Sequence, residues 1–506
     1  MELSDILASF HASNLIPEGI VACTILLVLL LDLVYSRTCH AWLAWVAMAG
    51  LSLASVLLGQ QWYQLMNLPT ATMTFGGSFQ ADSLSLVFRA IIAMSCVLCI
   101  LLSIDYVEST GTAPSEFLVL IATASLGGML VAGSNDLLMM FVSLETLGLA
   151  SYLLTGYMKR DVRSNEASLK YLLVGAASSG LFLYGISWMY GISGGHMELN
   201  SIAHAIVSLD ETKTTTCALA LVLMTVGVGF KVAAAPFHQW TPDVYQGSPT
   251  PVVAFLSVGS KAAGFILAVR MCTTLFPSFN TEWHLIFTIL SILSMIVGNF
   301  IAVTQTSLKR MLGYSSVGQA GVMMIGMLTD SPDGYASLIV YLLIYLFMNL
   351  GAFACVILFG LRTGTDQIQD YSGLLARDPF LALCLSLCLL SLGGIPPLAG
   401  FFGKMYLFLA AWDAGQYSLV WVGLITSVVS IYYYLSVVKI MLVPATQEMS
   451  LAVREYPRRA WSLEPIQPLE VGIFVCVLGS ILVGVAGNSM VNLMTITMSQ
   501  APSLGV

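Results

Sequence analysis

An apolar run is interrupted at Gly227-Val228-Gly229-Phe230-Lys231 and then at Pro236-Phe237-His238-Gln239-Trp240-Thr241-Pro242. A second interruption of the same kind reads Leu392-Gly393-Gly394-Ile395-Pro396-Pro397, followed by Gly400-Phe401-Phe402-Gly403-Lys404. Proline removes a backbone donor and clashes with the preceding helical turn, so each of these helices must break. At membrane depth the freed backbone groups need protein or water as partners. Both stretches therefore predict broken membrane helices, each with a lysine beside its break.

Apolar runs of membrane-spanning length recur along the whole chain, which has 506 residues, 58% of them hydrophobic and only 9% charged. Soluble domains have a charged share of about 25%, so that class is excluded. A helix needs about 20 apolar residues to cross the hydrocarbon core, and about fourteen such spans are predicted. They lie near residues 15–35, 41–58, 83–103, 117–132, 137–157, 167–192, 217–235, 251–271, 284–304, 311–328, 335–361, 379–414, 418–442 and 469–488. No run alternates between apolar and polar residues as barrel strands do. The predicted fold is an all-α polytopic membrane protein with helices 7 and 12 broken.

The two breaks also predict the internal organisation of the chain. Interrupted helices in matching positions of two halves indicate inverted repeats with ion sites near the midplane. The second break lies five spans after the first, which favours two inverted five-helix repeats over spans 4–8 and 9–13. The predicted division is residues 1–113 for helices 1–3, 114–275 for the first repeat, 276–445 for the second, and 446–506 for the C-terminal loop and last helix.

The placement of lysine and arginine predicts the topology. The formal net charge is -8 and no basic cluster is present, which excludes a nucleic-acid partner. Cytoplasmic loops carry an excess of Lys and Arg. The cations at loops after odd-numbered spans are Arg37, Lys159, Arg160, Arg163, Lys309, Arg310, Arg362, Arg377, Lys439, Arg454, Arg458 and Arg459. The opposite loops hold only Lys213 and Arg270. Both termini are therefore expected on the side away from the cytoplasm or its equivalent.

The five cations not assigned to loops lie inside predicted spans, as does Glu145. These six residues are Arg89, Lys170, Glu145, Lys231, Lys261 and Lys404. A charge at the centre of a membrane helix is costly, so such groups normally face the bundle interior and serve a pathway. The first two lie about one turn or less from a helix end, and a long side chain can reach the interface from there. The other four lie too deep for that and indicate function.

Proton movement is the chemistry that these residues permit. Desolvation disfavours the charged form of a lysine and a nearby carboxylate favours it, so a changing Glu–Lys separation loads or unloads a proton. Glu145 and Lys231 are the predicted pair, with Lys261 as a central relay and Lys404 as the station toward the far side. His238 follows the first break and titrates nearest neutrality, although a capping or packing role fits it equally well.

Redox chemistry is not expected in this chain. It has no G-x-G-x-x-G after a strand, no clustered cysteine set for an iron–sulfur centre and no haem-like histidine pair. We therefore expect no bound cofactor and no metal here, and any electron transfer would occur in partner subunits.

These residues resemble the antiporter-like membrane subunits of complex I and of photosynthetic NDH-1, which are related to Mrp-type cation/proton antiporters. The resemblance runs nearly the whole length of the chain. Its most specific stretches are residues 143–147 and 151–154, Glu166 with residues 170–173, residues 229–231 and 236–245, Ser260-Lys261, residues 305–316 and residues 400–404.

Within this family the chain resembles the N-type members, known as subunit 2. Its distal break carries Lys404, where the M-type subunit typically has a glutamate, and no room follows the last span for the lateral helix of the L-type subunit. Residues 155–167 and 359–366 resemble the chloroplast and cyanobacterial form, and the 10 cysteines favour the chloroplast.

The resemblance implies a role for each candidate residue. Glu145 and Lys231 would form the ion pair, Lys170 would be an accessory lysine near it, Lys261 the central lysine, Lys404 the terminal one, and His238 the family histidine after the break. It also implies a subunit of a translocating NAD(P)H-quinone oxidoreductase in the thylakoid membrane, with its termini on the lumenal side. Such a complex oxidises reduced ferredoxin or NAD(P)H, reduces plastoquinone and moves protons into the lumen. Iron–sulfur clusters and, where present, flavin would belong to the other membrane and peripheral subunits.

Two alternatives stay open from the residues. The chain could be an Mrp-like cation/proton antiporter subunit on the same fold, although Lys404 and the photosynthetic-type segments argue against it. It could also be a structural subunit whose charged residues only pack. Neutral substitutions at Glu145 or Lys231 would then leave pumping intact.

Overall fold

Long apolar helices dominate the structure, a computed structural model that describes residues 12–35, 41–67, 72–207, 211–443 and 467–499. The first nine helices of this part of the chain are α1 (Ile16–Val34), α2 (Ala41–Asn67), α3 (Ser83–Thr110), α4 (Pro114–Gly133), α5 (Leu137–Thr155), α6 (Val162–Ile192), α7 (Leu199–Val207), α8 (Glu211–Val232) and α9 (Trp240–Gly247). The others are α10 (Thr250–Leu275), α11 (Asn280–Ala302), α12 (Leu308–Leu328), α13 (Pro332–Thr363), α14 (Leu374–Arg377), α15 (Pro379–Gly393), α16 (Ala399–Asp413), α17 (Tyr417–Leu442), α18 (Pro468–Val485) and α19 (Gly487–Ser499).

The predicted all-α polytopic membrane fold is confirmed. Among the described residues, 13 helical segments are long and apolar enough to cross a membrane. The predicted twelfth span accounts for the difference from fourteen, because it is divided into α15 and α16, which have 15 residues each. Four cations of the topology argument, Arg37, Arg454, Arg458 and Arg459, lie outside the described residues.

The first break begins later than the sequence indicates. Helix α8 continues through Gly227 and Gly229 and ends at Val232, and residues 233–239 form the turn before α9. The two glycines serve packing instead. A methyl group on Gly227 would lie 2.7 Å from Phe182 Cβ, and one on Gly229 would lie 2.6 Å from the ring of Phe237. Ala233 takes a positive φ of 63° directly after α8, and Gly394 takes one of 82° directly after α15. Each break thus starts where the backbone leaves the helical region.

A short β-hairpin, which the sequence did not predict, precedes α3. Strands β1 (Thr72–Thr74) and β2 (Phe79–Ala81) are antiparallel, with Thr72 opposite Ala81. The hairpin leads directly into α3, where the carboxylate of Asp82 accepts a hydrogen bond of 2.9 Å from the backbone N–H of Ser85. This cap satisfies one of the free donors at the start of the helix.

Three helices form the buried centre of the bundle. In the most apolar 18-residue stretch of each helix, 100% of the residues of α10, 94% of those of α12 and 89% of those of α13 are buried. The corresponding share for α1 is 28%. Helix α13 packs against α3, α10, α12, α15, α16 and α18. Polar groups in the buried stretches of these central helices are therefore surrounded by protein.

Candidate functional site

Three predicted lysines lie in the protein interior at irregular points of the helices. Lys231 is in the last turn of α8, directly before the first break, and is 3% exposed. Lys261 follows a wider, π-helical turn at Leu256–Ser260 inside α10 and is 1% exposed. Lys404 is in α16, after the second break, and is 6% exposed. Wider helical turns and breaks free backbone groups at these points of the helices.

Lys231 packs against the turn of α5 that follows Glu145. A methyl group at Gly148 would lie 3.5 Å from Lys231 Nζ and 3.4 Å from the hydroxyl oxygen of Tyr152. Gly148 is three residues after the half-buried Glu145, and residues at this spacing share a helix face. Lys231 Nζ has no hydrogen-bond partner in the described part of the chain, and no carboxylate oxygen there lies within 4.0 Å of it. The predicted pair is therefore neighbouring but not in direct contact.

Lys261 is held by the backbone of α12. Its Nζ donates a hydrogen bond of 2.5 Å to the carbonyl oxygen of Ser316. The Ser316 hydroxyl lies 3.4 Å from the Tyr245 hydroxyl oxygen on α9. One turn beyond Lys261, Gly264 packs on Lys231, since a methyl group there would lie 3.3 Å from Lys231 Cβ. The first two predicted lysines thus lie on helix turns that contact each other.

Lys404 reaches back across its break. Its Nζ donates to the carbonyl oxygens of Leu392 at 3.2 Å and Gly393 at 3.3 Å, at the end of α15. The last carbonyls of a helix carry partial negative charge and have no intrahelical donor, so they favour an ammonium. Gly394 makes room for this contact, because a methyl group there would lie 3.5 Å from Lys404 Nζ.

A polar cluster on α12 lies between the last two lysines, and sequence reasoning missed it as a site. Gln319 is 3% exposed, and its Nε2 donates to the Leu392 carbonyl oxygen at 3.1 Å. Its Oε1 accepts a hydrogen bond of 2.5 Å from the Tyr341 hydroxyl. Ser315, four residues earlier, bonds through its hydroxyl to that of Tyr434. A buried carboxamide within a predicted span was the available signal, since buried polar groups need partners.

Lys170 lies in an ionic cluster at the surface. Its Nζ contacts Glu166 Oε1 at 2.8 Å and Asp243 Oδ2 at 2.7 Å, and its side chain is 45% exposed. Arg310 binds the other oxygen of Asp243 at 2.7 Å. Burial by itself raises the pKa of Asp243, but the hydrogen bonds from Lys170 and then Arg310 outweigh it and hold that pKa below its ordinary value. These residues line a cavity of about 300 Å³ together with Gln246.

His238 lies in the turn between α8 and α9. The residue is half-buried, and its buried Nδ1 has no hydrogen-bond partner among the described residues. Its ring centroid lies 6.4 Å from that of Tyr314 on α12. An unpaired ring nitrogen next to α12 leaves both predicted roles, proton station and packing group, open.

Arg89 does not reach the interface, and that expectation is wrong. Its guanidinium is 0% exposed and binds both carboxylate oxygens of Glu18 on α1, at 2.6 Å and 2.5 Å. Arg270, which the sequence placed in a loop, is also buried and bonds to Asp82 at 2.7 Å and to Gln80 at 3.3 Å. A buried guanidinium is tolerated only with such partners, and they come from residues far away in the sequence. Both pairs hold helices together at a distance from the three lysines.

Known proteins resemble this chain over nearly its whole length. The family model described as NADH:quinone oxidoreductase/Mrp antiporter, TM, matches residues 134–430, and the one described as NAD(P)H-quinone oxidoreductase subunit 2 N-terminal matches residues 1–105. The chloroplastic NAD(P)H-quinone oxidoreductase subunit 2 of Chlorokybus atmophyticus is 58% identical over 504 residues, 100% of this chain and 98% of that protein. The subunit 2 of Gloeothece citriformis is 55% identical over 505 residues, 100% of this chain and 97% of that protein.

Solved structures show the same architecture. A chain of respiratory complex I from Thermus thermophilus is 32% identical with a TM-score of 0.76, covering 94% of this chain and 98% of that one. A chain of the Mrp complex from Dietzia is 20% identical with a TM-score of 0.83, covering 97% and 98%, and shows the fold alone. The chain therefore belongs to the NAD(P)H-quinone oxidoreductase subunit 2 family, within the antiporter-like membrane subunits of complex I and NDH-1.

Proposed function

We propose that the chain is the proton-translocating membrane subunit of an NDH-1-type NAD(P)H or ferredoxin:plastoquinone oxidoreductase. The observation that carries this proposal is the series of buried lysines 231, 261 and 404, each at a helix break or wide turn. Polar groups of α12 link the last two of them. An apolar interior tolerates such groups only where they serve a pathway or are paired.

The proposed sequence of proton positions follows the contacts. Glu145, on the face of α5 next to Lys231, favours the charged form of that lysine when the two approach, and their separation favours proton release. The released proton passes to Lys261, whose helix turn packs on Lys231. Lys261 then hands it on, across the Ser315 to Gln319 turn of α12, to Lys404. Water would bridge the gaps between these stations, and Lys170 and His238 are proposed as accessory groups.

Partner subunits carry the electrons in this proposal. The relatives are named as subunits of NAD(P)H-quinone oxidoreductase, which supports membership of such an assembly with other membrane and peripheral subunits. We place the flavin, where present, and the iron–sulfur clusters in those partners, with plastoquinone as acceptor. The chloroplastic and cyanobacterial relatives support a thylakoid membrane location, with the termini on the lumenal side.

The proposed division of the chain keeps the sequence-based boundaries. Residues 1–113 hold the first three helices, residues 114–275 and 276–445 form the two inverted repeats, and residues 446–506 follow. One broken helix falls in each proposed repeat, which supports the division.

An independent Mrp-like cation/proton antiporter is the second candidate, and the family model that covers both NADH:quinone oxidoreductase and Mrp antiporters, which matches residues 134–430, supports it. The two candidates differ in purification. A subunit of an oxidoreductase co-purifies with many other subunits and moves protons only during electron transfer. An antiporter exchanges cations for protons in vesicles when reconstituted alone or with a few partners.

The experiment that tests the proposal compares Lys404→Ala with Lys439→Ala in the intact complex. Lys439 lies near the end of α17 and is exposed, so it is a matched control for loss of one lysine. Proton uptake into membrane vesicles is measured per electron delivered to plastoquinone. We expect fewer protons per electron for Lys404→Ala and the parental ratio for Lys439→Ala. An unchanged ratio for Lys404→Ala in assembled complex would contradict the proposal.

A further inference from the structure

The two breaks differ in the neutral side chain that donates to a backbone carbonyl oxygen at the helix end. In the first break, the carbonyl oxygen of Phe230 accepts a hydrogen bond of 3.2 Å from the indole N–H of Trp240, which belongs to the same broken helix. In the second, the carbonyl oxygen of Leu392 accepts one of 3.1 Å from Gln319, which comes from another helix, α12. The first break is also tied to another helix, because the backbone N–H of Ala235 donates to the Ser294 hydroxyl of α11 at 2.8 Å. The second break is instead bonded to the central helix α12.

The same turn of α12 is bonded to Lys261 directly and is linked to Lys404 through the Leu392 carbonyl oxygen. Lys261 Nζ binds the Ser316 carbonyl oxygen at 2.5 Å, and Lys404 Nζ shares the Leu392 carbonyl oxygen with Gln319. Ser316 and Gln319 are three residues apart on α12, so they lie on the same helix face. A shift of this turn would move two groups together: the Ser316 carbonyl oxygen that binds Lys261, and the Gln319 side chain that binds the Leu392 carbonyl oxygen next to Lys404.

We infer that Gln319 is a positioning residue that couples Lys404 to Lys261 by holding the Leu392 carbonyl oxygen at the break. This inference rests on the proposed function of the lysines. A carboxamide does not change charge, so Gln319 is not itself a proton station. A carbonyl oxygen accepts two hydrogen bonds, and Gln319 keeps its bond whether Lys404 is charged or neutral.

The Gln319 side chain is oriented from its other end. The Tyr341 hydroxyl on α13 donates to Oε1, which leaves Nε2 directed at Leu392. Because the amide is 3% exposed and bonded at both ends, its rotation would leave buried polar atoms unpaired. Its geometry is therefore well defined, as positioning requires.

The test uses Gln319→Leu in the intact complex, with Gln80→Leu as the matched control. Gln80 is also a buried glutamine, 4% exposed, but it bonds to Arg270 and contacts none of the three lysines. We expect Gln319→Leu to lower the rate of proton uptake roughly tenfold, the order expected when a buried acceptor loses its partner. The pH profile of uptake should also shift. Gln80→Leu should retain the parental profile and protons per electron in the complex that assembles.

A double-mutant cycle separates positioning from general damage. If Gln319 acts through Lys404, the pair Gln319→Leu and Lys404→Ala should pump no worse than Lys404→Ala alone, whereas independent effects add. If Gln319→Leu does not assemble, Gln319→Met keeps the length of the side chain and has no N–H donor for the Leu392 carbonyl oxygen, and the same loss of uptake is expected.

The outcomes also distinguish this inference from the proposed function. Two results would overturn the inference but not the proposed function. One is impaired pumping in Lys404→Ala with parental uptake in the assembled Gln319 variant, and the other is additive effects in the double-mutant cycle. Parental pumping in Lys404→Ala would overturn the proposed function and the inference together.

Discussion

Lys261 is bound by the carbonyl oxygen of Ser316 at 2.5 Å, and no carboxylate in the described ranges lies within 4.0 Å of its Nζ. A carbonyl accepts a hydrogen bond from an ammonium and from a neutral amine, whereas a carboxylate would hold the ammonium charged. The geometry therefore suits a lysine that takes up a proton and passes it on.

Replacement of Lys261 by arginine tests this reading. Lys261→Arg keeps the positive charge and the donor for Ser316, but a guanidinium does not lose its proton in proteins. We expect proton uptake per electron to fall strongly, by roughly tenfold or more in rate, with the complex still assembled. Vesicle proton uptake with plastoquinone reduction recorded in parallel measures it. Parental stoichiometry in Lys261→Arg would show that a permanently charged group suffices there.

The ionic cluster at Asp243 predicts an acid-dependent stability. The pKa of Asp243 is held below its ordinary value of 3.8 by Lys170 and Arg310 although burial raises it. The ionised Asp243 therefore contributes fully to the free energy of unfolding well above pH 3.8. This contribution is lost as the pH falls through the lower pKa of the folded state. The pair energies are small, about 1 kcal/mol or less, because the groups are partly exposed.

We expect Asp243→Asn to unfold at a slightly lower temperature than the parent near neutral pH. The difference should shrink toward zero in acid, where the parental carboxyl is also neutral. Thermal unfolding of the solubilised complex at a series of pH values measures it. A difference that does not decrease as the pH falls from 3.8 through the folded-state pKa of Asp243 would contradict an electrostatic origin.

The buried pair of Arg270 and Asp82 is expected to support assembly. Removal of one partner from a buried ion pair costs about 3–5 kcal/mol, because the other charge stays desolvated. Arg270→Met should therefore reduce the amount of assembled complex, and Asp82→Asn in the same chain should restore part of it. Lys213→Met removes an exposed cation and should assemble like the parent. Equal yields of Arg270→Met and Lys213→Met would show that the pair does not stabilise the fold.

The sequence predicted the breaks and the buried lysines because both rest on local chemistry. Proline must interrupt a helix wherever it occurs inside a span, and a lysine in an apolar run needs a polar surrounding. The start of the first break was predicted too early, since Gly227 and Gly229 favour close packing as well as helix ends, and spacing alone does not separate the two uses.

The sequence alone could not predict which residues bond to each other when they lie far apart along the chain. Arg89 binds Glu18, which is 71 positions away, and Gln319 binds Leu392, which is 73 positions away. No periodicity relates residues on helices that meet only in the folded bundle. Gln319 shares its span with Ser315 and Ser316, so only its hydrogen bonds distinguish it from a packing residue.

The central claim is that Lys231 changes its protonation during turnover, since it is buried beside the Glu145 turn without a fixed hydrogen-bond partner among the described residues. The most direct measurement is proton uptake per electron in membrane vesicles for Lys231→Ala, with the exposed Lys439→Ala as control and assembly confirmed for both. The account predicts loss of pumping in Lys231→Ala and the parental ratio in Lys439→Ala. An unchanged ratio in assembled Lys231→Ala would contradict it and would move the proton path to neighbouring subunits.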